Sequence, residues 1–142
     1  MSCFFVDTSA LAKRYIAEQG SEWLLSWIEP TAGNTVSIAE ITHVEMFSLL
    51  ARRQREGSLT TENADALQDE CLVLPLDSEI LQQARLLVTK YPLRSLDAIQ
   101  LASALQARKV LAVSITFISA DNNLLNAASA EGFPIDNPNH YP

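Results

Sequence analysis

Four carboxylates stand where carboxylates are conspicuous. Asp7 ends the apolar run Cys3-Phe4-Phe5-Val6, and Asp121 closely follows the run ending Phe117-Ile118. Asp97 is the only charge in the stretch from Leu96 to Ala107. A helix that is apolar nearly all round is a buried one. Glu45 has Ile41 four residues before it and Leu49 four residues after it, so it lies within an apolar helical stripe. Taken singly, each acid has an ordinary explanation. Asp7 and Asp121 suit helix N-caps, Asp97 suits the first turn of a helix, and Glu45 could be a surface residue. Taken together they suggest more. Buried carboxylates without partners are costly, and the basic residues nearest by sequence are only Arg94 and Lys13. If the four converge, they repel one another unless a cation sits between them. An all-oxygen donor set of this kind suits Mg²⁺ or Mn²⁺. Glu40 serves as a control. Ser37-Ile38-Ala39-Glu40 reads as a capping box, which already explains that acid.

The elements that must position these acids alternate along the chain. Short apolar or β-branched runs at Cys3–Val6, Asn34–Ser37, Cys71–Leu74, Ser114–Ile118 and Pro134–Ile135 read as strands. Helices are expected after Asp7, from Ser21, from Ser37 to about Arg55, from Thr60 or Thr61 to about Glu70, from Asp77 or Ser78 to Lys90, from Ser95 to about Arg108, and from Asp121 to near Gly132. That alternation predicts an α/β fold with a mainly parallel sheet of about five strands and helices on both faces. Ligands of such sheets bind at the carboxyl ends of the strands, near the topological switch point. Asp7 and Asp121 belong at that edge.

The bulk numbers set limits. A chain of 142 residues suggests one domain, 1–142, with a tail from about 136 expected to be loose. A net charge of −7 argues against a basic duplex-binding protein. Two cysteines, Cys3 and Cys71, make neither a disulfide framework nor a zinc site, and free thiols fit a reducing cytoplasm. No signal peptide is visible, and the longest apolar stretch, Val110 to Ile118, falls short of the ~18–20 residues of a membrane span.

Four segments carry a family resemblance. Asp7-Thr8-Ser9-Ala10-Leu11-Ala12-Lys13, Val36-Ser37 through Glu45 to Arg53, Leu93-Arg94-Ser95-Leu96-Asp97-Ala98-Ile99-Gln100-Leu101-Ala102 and Phe117-Ile118-Ser119-Ala120-Asp121-Asn122-Asn123-Leu124 resemble, in order, the acidic motifs of PIN-domain proteins. The resemblance spans residues 3 to about 133, and a small domain of this kind is most similar to VapC toxins. It implies a three-layer α/β/α fold and a Mg²⁺- or Mn²⁺-dependent endoribonuclease, with Asp7, Glu45, Asp97 and Asp121 holding the metal. It also implies an RNA substrate, a cognate antitoxin and a homodimer. Asn122-Asn123 departs from relatives that carry a basic residue after the last acid.

The chemistry left to the chain agrees with that reading. The only histidines are His43 and His140, too few well-placed groups for a metal-free acid–base ribonuclease. No Gly-rich phosphate loop or nucleophile elbow is present. A bound ion would lower the pKa of a water and stabilise charge on the phosphate. Thr8, Ser9 and Ser119 are candidates to orient carboxylates or waters, or simply turn formers. Arg94 and Lys13 could touch phosphate or clamp the acids. The aromatic stripe Trp23, Trp27, Ile28 is core by default, with a partner surface as the other reading. Three alternatives remain at this stage: a free-standing PIN nuclease without an antitoxin, a silent PIN binding module, and a phospho-acceptor receiver domain with Asp77 as acceptor.

Overall fold

In the computed structural model, which describes residues 2–55 and 70–142, the wholly apolar first strand takes the centre. β1 (Cys3–Val6) pairs in parallel with β2 (Thr35–Ala39) on one side and β4 (Thr116–Ile118) on the other. β3 (Leu72–Leu74) lies outside β2, and β5 (Ile135–Asp136) lies outside β4. The order is β3-β2-β1-β4-β5, all parallel. The chain builds outward from β1 in one direction, then crosses back to build in the other. The switch point therefore falls between β1 and β4.

Strand residues alternate between two apolar layers, as period-two side chains must. Phe5, Ala39 and Phe117 point into one, built with α4 (Ser78–Lys90), α5 (Ser95–Leu111) and α6 (Asn122–Ala130). Val6, Ile38 and Ile118 point into the other, built with α1 (Thr8–Leu11), α2 (Ser21–Ile28) and α3 (Glu40–Arg55). This is the expected three-layer α/β/α arrangement. The helix anticipated between Thr60 and Glu70 lies almost wholly outside the described residues.

Several local readings change. Ser37 caps nothing: it is inside β2, with its hydroxyl donating to the Phe4 carbonyl at 3.0 Å. Glu40 is instead the first residue of α3, and its Oε1 accepts from the Leu76 backbone N–H at 3.2 Å, pinning the loop after β3. Strand pairing with β1 outcompetes the local capping pattern. Arg94, not Ser95, occupies the N-cap position of α5.

The tail is laid against the domain, not loose. Tyr141 stacks on Trp23 with ring centroids 4.2 Å apart, and Gln19 donates to the Asn139 carbonyl at 2.7 Å. Gly20 makes this possible. It sits at φ 85°, and a Cβ there would fall 2.2 Å from the Pro138 carbonyl oxygen. The chain thus covers its own aromatic stripe: Trp27 is buried against Phe4, and Trp23 lies under Tyr141. Sequence periodicity could not reveal this, because Tyr141 lies more than a hundred positions from the Trp23 it covers.

Candidate active site

The register of β1 against β4 sets Val6 beside Ile118. The next residue on each strand, Asp7 and Ser119, therefore meet at the switch point. Asp7 is buried and caps α1, accepting from the Ala10 N–H at 3.0 Å. Ser119 Oγ donates to its Oδ2 at 2.8 Å, and Ser9 Oγ donates to its Oδ1 at 2.8 Å. Even with these donors, burial pushes its carboxyl up to about 6, with the charge of Asp97 adding to the effect. Desolvation of the ionised form outweighs the hydrogen bonds that favour it.

Asp121 does cap a helix. Its Oδ1 accepts from the Asn123 N–H at 2.9 Å at the start of α6, and its own N–H donates to Ser119 Oγ at 3.0 Å. Asp97 is the third residue of α5 and half-buried. Its carboxyl is raised by burial first, then by the charges of Asp121 and Glu45, with Arg94 opposing. Glu45, in the second turn of α3, accepts from Thr8 Oγ1 at 2.8 Å. The capping roles are real for Asp7 and Asp121, yet each acid also lies in the field of another. Asp7 feels Asp97, and Asp97 feels Asp121 and Glu45.

The basic candidates fall differently. Arg94 is exposed beside Asp97. Lys13 is buried, and its Nζ is held 3.1 Å from Glu18. Asn122 and Asn123 brace the fold: Asn137 donates to Asn122 at 3.0 Å, and Asn123 donates to the Pro92 carbonyl at 2.8 Å. A receiver domain does not fit. It needs its acceptor acid on a central strand, whereas β3 is at the sheet edge and Asp77 caps α4 by accepting from the Ile80 N–H.

Comparison with known proteins agrees with this geometry. The PIN domain family model matches residues 4–130. The chain belongs to the PIN-domain family. A ribonuclease VapC47 from Mycobacterium tuberculosis is 34% identical over 136 residues, covering 94% of this chain and 96% of that protein. Among solved structures, a toxin–antitoxin complex from Klebsiella pneumoniae superposes with a TM-score of 0.64 at 16% identity, covering 95% of this chain and 97% of its own. M. tuberculosis VapC20, described as a sarcin-ricin loop cleaving toxin, also reaches 0.64 at 19% identity, covering 92% and 95%. These two show the fold.

PIN nucleases of the VapC type are generally dependent on a divalent metal. Among the described residues, no three His, Cys, Asp or Glu side chains are arranged to ligate one ion directly as they stand. The donor chemistry nevertheless fits Mg²⁺. That ion keeps several of its waters and is usually held by only one or two carboxylates. Asp7 and Asp97, raised by burial and by neighbouring acids, offer oxygen donors of the kind such an ion takes directly or through its waters.

Two polar residues beside the candidate acids escaped sequence reasoning. Thr42, one turn before Glu45 on α3, and Gln100, one turn after Asp97 on α5, are buried side by side, Gln100 Nε2 donating to Thr42 Oγ1 at 2.8 Å. The available signal was helical spacing. Each lies three residues from a candidate acid, on the same face of its helix.

Proposed function

We propose that this PIN-domain protein is an endoribonuclease that cleaves RNA phosphodiester bonds with a metal-activated water, and that it is the toxin of a pair neutralised by a cognate antitoxin. The carrying observation is how the acids are tied together at the switch point of the sheet. Ser119 bonds both the Asp7 carboxylate and the Asp121 N–H, and Thr8, the residue after Asp7, holds Glu45. The Asp97 carboxyl is raised by burial and by the charges of Asp121 and Glu45. Asp7, Glu45, Asp97 and Asp121 would hold Mg²⁺ or Mn²⁺, directly or through water. The bound ion supplies a water of lowered pKa and neutralises charge developing on the phosphate.

The chain's own residues do the rest. Ser9, Ser119 and the Ala10 N–H fix the Asp7 carboxylate. Thr8 fixes Glu45. Arg94, exposed beside Asp97, is placed to meet a phosphate, while Lys13 is committed to Glu18. With a net charge of −7, the metal site rather than the protein surface has to supply much of the neutralisation of RNA.

The same reading places the protein in the cytoplasm as a homodimer. No helix among the described residues is long and apolar enough to cross a membrane. The deciding experiment is cleavage of RNA by the purified, antitoxin-free protein. Activity is expected with Mg²⁺ or Mn²⁺ and none in EDTA; cleavage that persists in chelator sinks the metal mechanism.

A further inference from the structure

We propose that Gln100, acting through Thr42 and Thr8, is the positioning residue that sets the Glu45 carboxylate for metal binding; this rests on the reading of Glu45 as a metal-holding residue. Gln100 is 3% exposed, a polar side chain inside the apolar α5 helix. Its Nε2 donates to Thr42 Oγ1 at 2.8 Å, lies 3.2 Å from Thr8 Oγ1, and points at Glu45 Oε1 at 3.4 Å. One amide thus joins α5, α3 and the residue that follows Asp7.

The direction of the network follows from the charges. Thr8 has one hydroxyl proton and two acceptors in reach, Thr42 Oγ1 at 3.1 Å and Glu45 Oε1 at 2.8 Å. The carboxylate is closer and charged, so the proton goes there. Thr8 Oγ1 is then free to accept from Gln100. Turning the amide over would aim its oxygen at the Glu45 carboxylate, so the donating orientation is the stable one. The amide oxygen Oε1 is itself buried with no partner, a cost the fold carries at this position. A side chain kept only for packing would be better replaced by an apolar one of the same size. Gln100 makes sense if the amide N–H groups are needed where they point.

The test uses the full-length chain without antitoxin and two readouts, Mn²⁺ affinity by calorimetry and RNA cleavage resolved into kcat and KM. Gln100→Met keeps length and volume but removes the donor, and Thr42→Val is isosteric without the hydroxyl. Both are expected to weaken Mn²⁺ binding and lower kcat roughly 10- to 100-fold, the scale set by partners of ligating groups, with KM for RNA unchanged. Thr42→Ser, which restores the hydroxyl, should recover both. Folded variants that bind Mn²⁺ and turn over like wild type overturn the proposal, as does a Thr42→Ser variant as impaired as Thr42→Val. Should Gln100→Met not fold, the Thr42 pair decides. Glu45→Gln separates the two layers: if it binds Mn²⁺ and cleaves normally, the site assignment itself falls, and this inference with it.

Discussion

Two carboxylates in this protein have been treated in opposite ways. Glu131, just past the end of α6, is surrounded by donors. Lys90 approaches at 2.7 Å, Tyr91 donates to the same oxygen, and Arg108 bonds the Glu131 backbone carbonyl. The Lys90 and Tyr91 bonds hold its carboxyl below the usual value. Asp7 has hydrogen bonds too, but they come from neutral groups in a buried place, and its nearest charged influence is another acid. Glu131 joins two helix ends and serves the fold. Asp7 is kept at a penalty by the fold, the pattern expected where function and stability compete.

The sharpest way to break this contrast is to neutralise one acid from each region. Glu45→Gln should lose at least about a hundredfold in RNA cleavage, as an acid at the metal site should matter no less than its supporting partners. Glu131→Gln should cleave as wild type. Glu40→Gln should also cleave normally, because an amide oxygen can still accept from the Leu76 N–H. Normal cleavage by Glu45→Gln beside a dead Glu40→Gln would mean that the wrong acid on α3 has been assigned to the site.

A smaller effect appears in the pH dependence of the metal-free protein. Asp7 binds its proton more tightly folded than unfolded, about 6 against 3.8. Its contribution is therefore fully present below about pH 4 and is lost as the pH rises through 6, up to about 3 kcal/mol in all. Glu131 has the opposite sign: its contribution is present above the ordinary carboxylate range and is lost as the pH falls through its lowered value. Urea melts from pH 4 to 7 in EDTA should show wild type losing stability across pH 4–6 relative to Asp7→Asn. Parallel curves would remove Asp7 from the strained group.

The smallest and most diagnostic difference concerns Asp97. Removing one of several mutually repelling charges should let apo Asp97→Asn melt at or above apo wild type. Mn²⁺ at a hundredfold excess over its dissociation constant should stabilise wild type by roughly 2.7 kcal/mol, and the Asn variant by less. A wild type indifferent to Mn²⁺, beside a destabilised variant, would return Asp97 to complementing a helix dipole.

The sequence by itself determined the architecture and singled out the four acids as candidates. Apolar runs alternating with amphipathic stretches leave few options but a parallel sheet covered on both faces, and an isolated charge in an apolar helix such as Asp97 announces its cost directly. Local pattern also found the caps Asp7, Asp77 and Asp121, because each bond there spans only two or three residues. It failed wherever a distant partner decided the outcome. Ser37 and Glu40 spell a capping box, but pairing with β1 takes Ser37 into the sheet and a loop 36 residues on takes Glu40. The tail reads as loose until Trp23 is seen beneath Tyr141. Gln100 reads as one more polar residue on a helix. Only the packing of α5 against α3, 58 residues away in the chain for the Gln100–Thr42 bond, turns it into the amide beneath the site. Periodicity fixes which face of an element is buried; what that face meets is settled by register and helix packing.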